Sequence, residues 1–269
     1  MLAAVVTCPA VAGSDTAAVG PTLRDVYRGG YFLGALRDAG RIVTAPVRWD
    51  AGDWALAAGT AGVTWGLMTA DPDLQRMMRR NVTQGTRDIA GYVKRFGEGA
   101  YIAPALVVAG VGGRVAGDSH FEKTAWLGLE SFWLAAGVFD LAIKMLAHRH
   151  RPYMGEGPRA WNGPGTSRDN ARQSFPSGHS CVAWSTLTAI SAAYEDSIYV
   201  APFAYGIATL TALSRVHDNA HWSSDVFFGS ALGFFIGRAV VKWHEPGAAG
   251  IVPAALPGGV PGAALTFSF

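Results

Sequence analysis

Six long apolar stretches punctuate the chain: Trp54–Ala70, Tyr101–Val115, Ala125–Leu146, His179–Tyr194, Tyr199–Leu213 and Ser224–Val241, each set off by polar residues. None has the strict alternation of a half-buried strand, and each is long enough for a helix, so the pattern predicts an all-α bundle of six apolar helices. Upstream, Tyr27, Tyr31, Phe32, Leu33 and Leu36 within Thr22–Val43 recur at the spacing of an amphipathic helix that packs on that bundle. Asp71-Pro72-Asp73 predicts a stop after the first apolar helix and the start of the next one. That next segment, Leu74–Phe96, carries Arg76, Arg79, Arg80, Arg87, Lys94 and Arg95, which predicts a solvated helical face. Tyr153–Gln173, rich in Gly, Pro, Asn and Arg, is a loop by composition.

The ends differ from the middle. Met1–Ala12 is apolar, and Ala10-Val11-Ala12 before Gly13 fits a small-residue cleavage site, so residues 1–12 are expected to be a secretory signal, although no Lys or Arg follows Met1. Residues 22–245 are expected to form one helical domain. Residues 246–269 form a Gly- and Pro-rich tail ending in the strand-like alternation Ala264-Leu265-Thr266-Phe267-Ser268-Phe269, expected to lie against that domain.

Six apolar stretches fit either six membrane spans or a globule with a very apolar core. Several are near 15 residues, whereas a bilayer core needs about 20. Glu130 and Asp140 fall inside the third stretch, where lipid would make them costly. The Arg-rich run also falls outside the membrane if the chain begins inside, against the positive-inside tendency. These points favour a soluble or peripherally attached envelope protein, periplasmic or exported, over an integral one with its site facing the periplasm. Composition adds two exclusions. A net charge of +2 with 16% charged residues gives no dense basic face for nucleic acid. With only Cys8 and Cys181, the first inside the signal segment and the second in an apolar run, no structural disulfide is expected.

Three polar clusters interrupt this apolar background. Lys144 and Arg151 are seven residues apart, two helical turns, with Pro152 marking the helix end. Arg151 can grip two phosphate oxygens in a fork while Lys144 adds a point charge; the alternative is a basic helix end that favours its own dipole. In Ser174-Phe175-Pro176-Ser177-Gly178-His179-Ser180, Ser177 reads as an N-cap and Gly178 lets the backbone approach a ligand. The amides there make an anion seat, and His179 is placed to protonate a leaving oxygen, although Pro-Ser-Gly is also an ordinary turn. In the third cluster Arg215 can hold an anion, His221 can act as nucleophile or base, and Asp225, one turn later, can steady its ring. His217, His221 and Asp225 would also suit zinc. The glutamate of a His-Glu-x-x-His helix is absent, however, and three nearby cations would repel the ion, so no metal is expected. His148, His150 and His217 are expected to be surface or supporting groups.

Lys144 with six residues before Arg151-Pro152, then Pro176-Ser177-Gly178-His179, then Ser214-Arg215, five residues, His221, three residues and Asp225, together resemble the signature of the type 2 phosphatidic acid phosphatase (PAP2) superfamily. That superfamily includes bacterial class A acid phosphatases and vanadium haloperoxidases. The likeness covers roughly residues 125–241. It implies a helical bundle and a phosphatase that needs no metal or other cofactor. By resemblance, His221 attacks phosphorus to give a phosphohistidine, Asp225 orients its ring, and His179 protonates the departing alkoxide and later activates water. Lys144, Arg151, Arg215 and the amides at Ser177 and Gly178 hold the phosphoryl oxygens. The expected partner is a phosphorylated small molecule or a lipid phosphate, with Trp161, Phe175 and Trp222 suiting a lipid or simply packing. Two alternatives stand beside this: a haloperoxidase that uses vanadate as cofactor, and a binding module that keeps the fold without turnover.

Overall fold

A computed structural model describes residues 30–244 and the backbone of two strands, 250–256 and 260–266. The expected signal segment, residues 22–29 of the amphipathic helix, and Phe267–Phe269 lie outside the described residues. Eight helices are present among those described: α1 (Gly30–Thr44), α2 (Ala51–Arg80), α3 (Gln84–Val93), α4 (Gly99–Ala116), α5 (Ser119–Ala147), α6 (Gly178–Ala193), α7 (Val200–His217) and α8 (Ser223–His244). All six apolar stretches fall in helices, and the all-α expectation holds. The C-terminal alternation is half of a hairpin rather than a lone strand: β1 (Gly250–Leu256) pairs antiparallel with β2 (Val260–Thr266), Ile251 opposite Leu265.

Two helices run on where the sequence predicts a break or a shorter element. α2 opens on a reciprocal cap between Asp50 and Asp53 and continues through Asp71-Pro72-Asp73 to Arg80. Proline removes one donor and crowds the preceding turn. Tertiary bonds compensate: the Asp71 carboxylate accepts from the Ser224 amide, the Ser224 hydroxyl and Arg149, which fixes the helix where local preference would end it. α5 carries a π-helical stretch, Trp133–Asp140, in its middle and continues to Ala147.

α6 and α8 form the centre. On α8, Gly229, Gly233 and Gly237 recur every four residues and face the α6 backbone. A Cβ at Gly233 would fall 2.3 Å from the Cys181 carbonyl oxygen, and one at Gly237 would fall 2.4 Å from that of Ser185. Small residues at this spacing let two helices meet main chain to main chain. Around that seam Leu127, Leu134, Cys181, Ile236 and Val240 close the core, so Cys181 is a core residue as expected. Tyr31 ties α1 to α5 by donating its hydroxyl to the Trp126 carbonyl at 3.0 Å.

The outside is apolar. Trp54 and Trp65 on α2, Val108 and Val115 on α4, Trp133 on α5 and Phe203 on α7 are exposed. Three helices, α4, α5 and α8, are long and apolar enough to cross a bilayer. That fits the membrane-embedded alternative better than the expected soluble or peripheral protein. The helices extend beyond their apolar runs, so the length argument fails. Glu130 and Asp140 face the protein interior, at 1% and 7% exposure, so they impose no cost in lipid. Arg76, Arg79, Arg80 and Arg87 are solvated as expected.

Candidate active site

At one end of the α6–α8 pair the chain brings the three polar clusters to a single pocket. Lys144 comes from the last turn of α5 and Arg151 from the extended segment after it; Ser177, Gly178 and His179 open α6; Arg215 ends α7; and His221 and Asp225 flank the start of α8. His148 adopts a left-handed backbone, φ 44°, just after α5, which turns the chain sharply toward Arg151. The α7–α8 turn closes on Arg215, whose carbonyl accepts from the amides of Ala220 and His221, so Arg215 and His221 are held together by backbone.

His221 is buried, and its Nδ1 donates to the Ser174 carbonyl oxygen at 2.6 Å. That bond fixes the tautomer and leaves Nε2 with its lone pair free. Here the structure corrects the expected role of Asp225. Its Oδ2 lies 3.9 Å from His221 Nδ1, too far for a hydrogen bond. Asp225 instead accepts from the Ser174 hydroxyl, the Trp222 amide at 2.9 Å and Arg149. Ser174 therefore links the two: its hydroxyl is held by Asp225 while its carbonyl holds the ring. Asp225 positions the histidine at one remove.

The anion seat is also modified. The Ser177 amide donates to the Asp225 carbonyl at 3.1 Å and so is committed to joining α6 to α8; its hydroxyl accepts from Ser180. Gly178, the first helical residue, keeps an amide with no acceptor inside the helix. A Cβ there would fall 3.0 Å from Lys144 Nζ and 3.0 Å from Asp140 Oδ2, so glycine is what admits the ammonium to the helix start. Asp140 holds Lys144 Nζ at 2.7 Å, one turn back along α5.

The field in the pocket is strongly positive. Burial, then Arg215, Lys144, Arg151 and Lys94, push His179 down from 6.5 to about 3. Burial and Arg151, Lys144 and Arg215 push His221 well below its ordinary value, only partly opposed by the Ser174 bond. The same three cations act on both rings. Burial also pulls Arg151 below its usual value. Arg151 Nη2 donates to Asn170 and Arg215 Nη1 to Asp218 at 3.0 Å, while the Nε atoms of both are buried with no partner.

Several contributors were not anticipated. Arg149 is fully buried, with donors to Asp71, Ser224, Asp225 and the Pro158 carbonyl and with the rings of Trp161 and Trp222 on its faces. It lies between two residues already singled out, and its saturation by partners is not visible in sequence. Lys94 belongs to the Arg-rich run read as solvated, yet its charge reaches His179 because Gly97 packs against the His179 backbone. His148 and His150 are buried, not at the surface: His148 is bonded to the Gly163 and Ser167 carbonyls and His150 to Glu156 and Asn162, which pins the 153–173 loop over the pocket. His217 is partly buried and meets Thr86 Oγ1 at 3.0 Å, away from the reacting groups.

A lipid A 1-phosphatase of Porphyromonas gingivalis is 37% identical over 69 residues, covering 25% of this chain and 16% of that protein. A PA-phosphatase related-family protein of Dictyostelium discoideum is 32% identical over 135 residues, covering 45% of this chain and 48% of that protein. The chain thus spans less than half the length of either relative. A crystal structure of a transmembrane PAP2 type phosphatidylglycerolphosphate phosphatase from Bacillus subtilis aligns with 78% of this chain and 92% of its own, at 20% identity and a TM-score of 0.48. Residues 126–247 match the family model of the PAP2 superfamily, and every residue of the three clusters falls within them. That segment of the chain is similar to the PAP2 superfamily.

Proposed function

We propose that this protein is an integral membrane phosphatase that removes phosphate from a lipid phosphate through a phosphohistidine on His221. The observation that carries the reading is the tautomer of His221: with Nδ1–H engaged by the Ser174 carbonyl, Nε2 keeps its lone pair, and burial with the nearby charges of Arg151, Lys144 and Arg215 holds the ring neutral. A phosphoryl group seated there finds the unpartnered Nε donors of Arg151 and Arg215, the ammonium of Lys144 and the Gly178 amide. These match the equatorial oxygens, where charge is spread as the phosphorus–oxygen bond loosens. Four fixed donors supply the neutralisation, so the chemistry requires no metal or other cofactor.

Nε2 attacks in line, the alkoxide leaves, and His179 gives it a proton. His179 can carry that proton because a dianionic phosphate offsets the cations that otherwise hold its ring neutral. Once neutral, it takes a proton from water, which splits the phosphohistidine and returns His221.

The lipid part rests on a groove between α2 and α8 lined by Leu56, Ala57, Leu232, Phe235 and Ile236, with Phe228 at its pocket end. The Phe228 ring stacks 4.8 Å from Phe175, which immediately precedes Pro176. An acyl chain lying there would keep its headgroup at the pocket. The test is detergent-purified protein assayed on phosphatidic acid in micelles and on an aryl phosphate, with acid-stable and acid-labile phosphoenzyme separated after rapid quench. The wild type should release phosphate and trap an acid-labile adduct, vanadate should inhibit as a mimic of the transition state, and His221→Ala should do neither. Full turnover by His221→Ala would end the proposal.

A further inference from the structure

At the other end of the bundle, Asp38 on α1, Glu130 on α5 and His244 at the end of α8 converge. Their nearest oxygen and nitrogen atoms all lie within 4.8 Å of one another. We propose that they form a binding site for a divalent transition-metal ion of the zinc type, separate from the phosphate pocket. Along α8, His244 is nineteen residues beyond Asp225, about 28 Å at the helical rise, so the two sites share no residue.

Three observations point to a cation rather than to a plain ion-pair cluster. First, His244 Nδ1 donates to the Val240 carbonyl at 2.9 Å, which turns Nε2 toward Asp38 Oδ2, 3.9 Å away, and Glu130 Oε2, 3.7 Å away. A backbone carbonyl behind the far ring nitrogen is how metal-bound histidines are held. Second, Glu130 is 1% exposed and its Oε1 has no hydrogen-bond partner, an oxygen left bare inside the protein that coordination would satisfy. Third, Arg41 Nη1 takes Asp38 Oδ1 at 3.0 Å and leaves Oδ2 to face the cluster. Two buried carboxylates share one guanidinium there, and the C-terminal end of α8 adds its own partial negative charge.

Geometry and chemistry agree on the ion. Ligands about 2.0–2.1 Å from a tetrahedral zinc are roughly 3.4 Å apart, so the 3.7 and 3.9 Å separations close with small side-chain shifts. One imidazole and two carboxylates favour zinc over magnesium or calcium, which seek all-oxygen shells. At 21% side-chain exposure, His244 leaves a path for the ion to enter. Bound there, zinc would clamp α1 to α5 and α8. It would therefore act on stability, not on the reaction.

The experiment uses the full chain in detergent, stripped with chelator and dialysed against zinc alone, with metal content by elemental analysis and unfolding followed by circular dichroism. About one zinc per chain and a raised unfolding temperature are expected. Both should fall at least tenfold in zinc affinity for His244→Ala and for the near-isosteric Glu130→Gln, whose helicity before zinc addition verifies folding. His217→Ala, which removes a histidine near the pocket, should bind as the wild type does. Absence of saturable binding in the wild type, or binding unchanged in both His244→Ala and Glu130→Gln, overturns the proposal.

Discussion

Arg149 and Arg151 stand two residues apart and belong to different parts of the pocket. The floor, made of Asp71, Arg149, Ser174, Ser224 and Asp225, is sealed: nearly every donor there meets an acceptor, and all five residues are buried. The rim, made of Lys144, Arg151 and Arg215, holds guanidinium nitrogens buried with nothing to bond. A buried donor without a partner is costly, and a fold tolerates it where a ligand supplies the missing acceptor. The contrast separates residues that hold the site from residues that act in it.

The sharpest way to break that distinction is to remove one arginine from each part. Arg149→Ala leaves Asp71 and Asp225 buried without their cation and should cost about 3–5 kcal/mol of stability, seen as a large fall in unfolding temperature in detergent. Arg151→Ala should leave that temperature unchanged and lower kcat/KM by roughly 10²–10³-fold, the loss typical of one donor to a transition-state oxyanion. If the two variants lose stability alike, floor and rim are one structure and the contrast fails. The smallest effect sharpens the electrostatic side. In the proposed mechanism His221 must be neutral to attack, and its depressed pKa keeps it so until the pH falls well below 6.5. The acid limb of kcat/KM should therefore lie below the ordinary histidine range. Because Lys144 is one of the charges that depress it, Lys144→Ala should move that limb upward in a pH–rate series on the same substrate, whatever it does to the maximal rate.

The rim was legible in the sequence and the floor, apart from Asp225, was not, for a physical reason. Lys144, Arg151, His179, Arg215 and His221 act through side-chain chemistry that only those residue types supply, at spacings helices impose. Arg149 and Asp71 act by mutual saturation, which depends on partners far off in the chain. Asp71 in particular sits in Asp-Pro-Asp, whose local preference is to end a helix, and tertiary bonds override that preference. The group that holds the His221 ring is a main-chain carbonyl, which any residue at 174 would offer. Helix lengths were underread because polar residues such as Ser119, Glu122 and Lys123 on α5 and Lys242 and His244 on α8 continue the helix past its apolar run. One signal was available and unused: Gly229, Gly233 and Gly237 repeat every four residues in an apolar stretch, the mark of a close helix pair.

That glycine seam starts one turn below Asp225, at Gly229, whose missing Cβ would meet the Ser177 carbonyl at 2.6 Å. A spacer made of main-chain atoms has no rotamers to slip, so the separation between the two histidine-bearing walls is set by the peptide backbone itself. Under the proposed function, the 153–173 loop can then be exchanged or lengthened to suit another phosphorylated substrate while His179 and His221 keep their spacing.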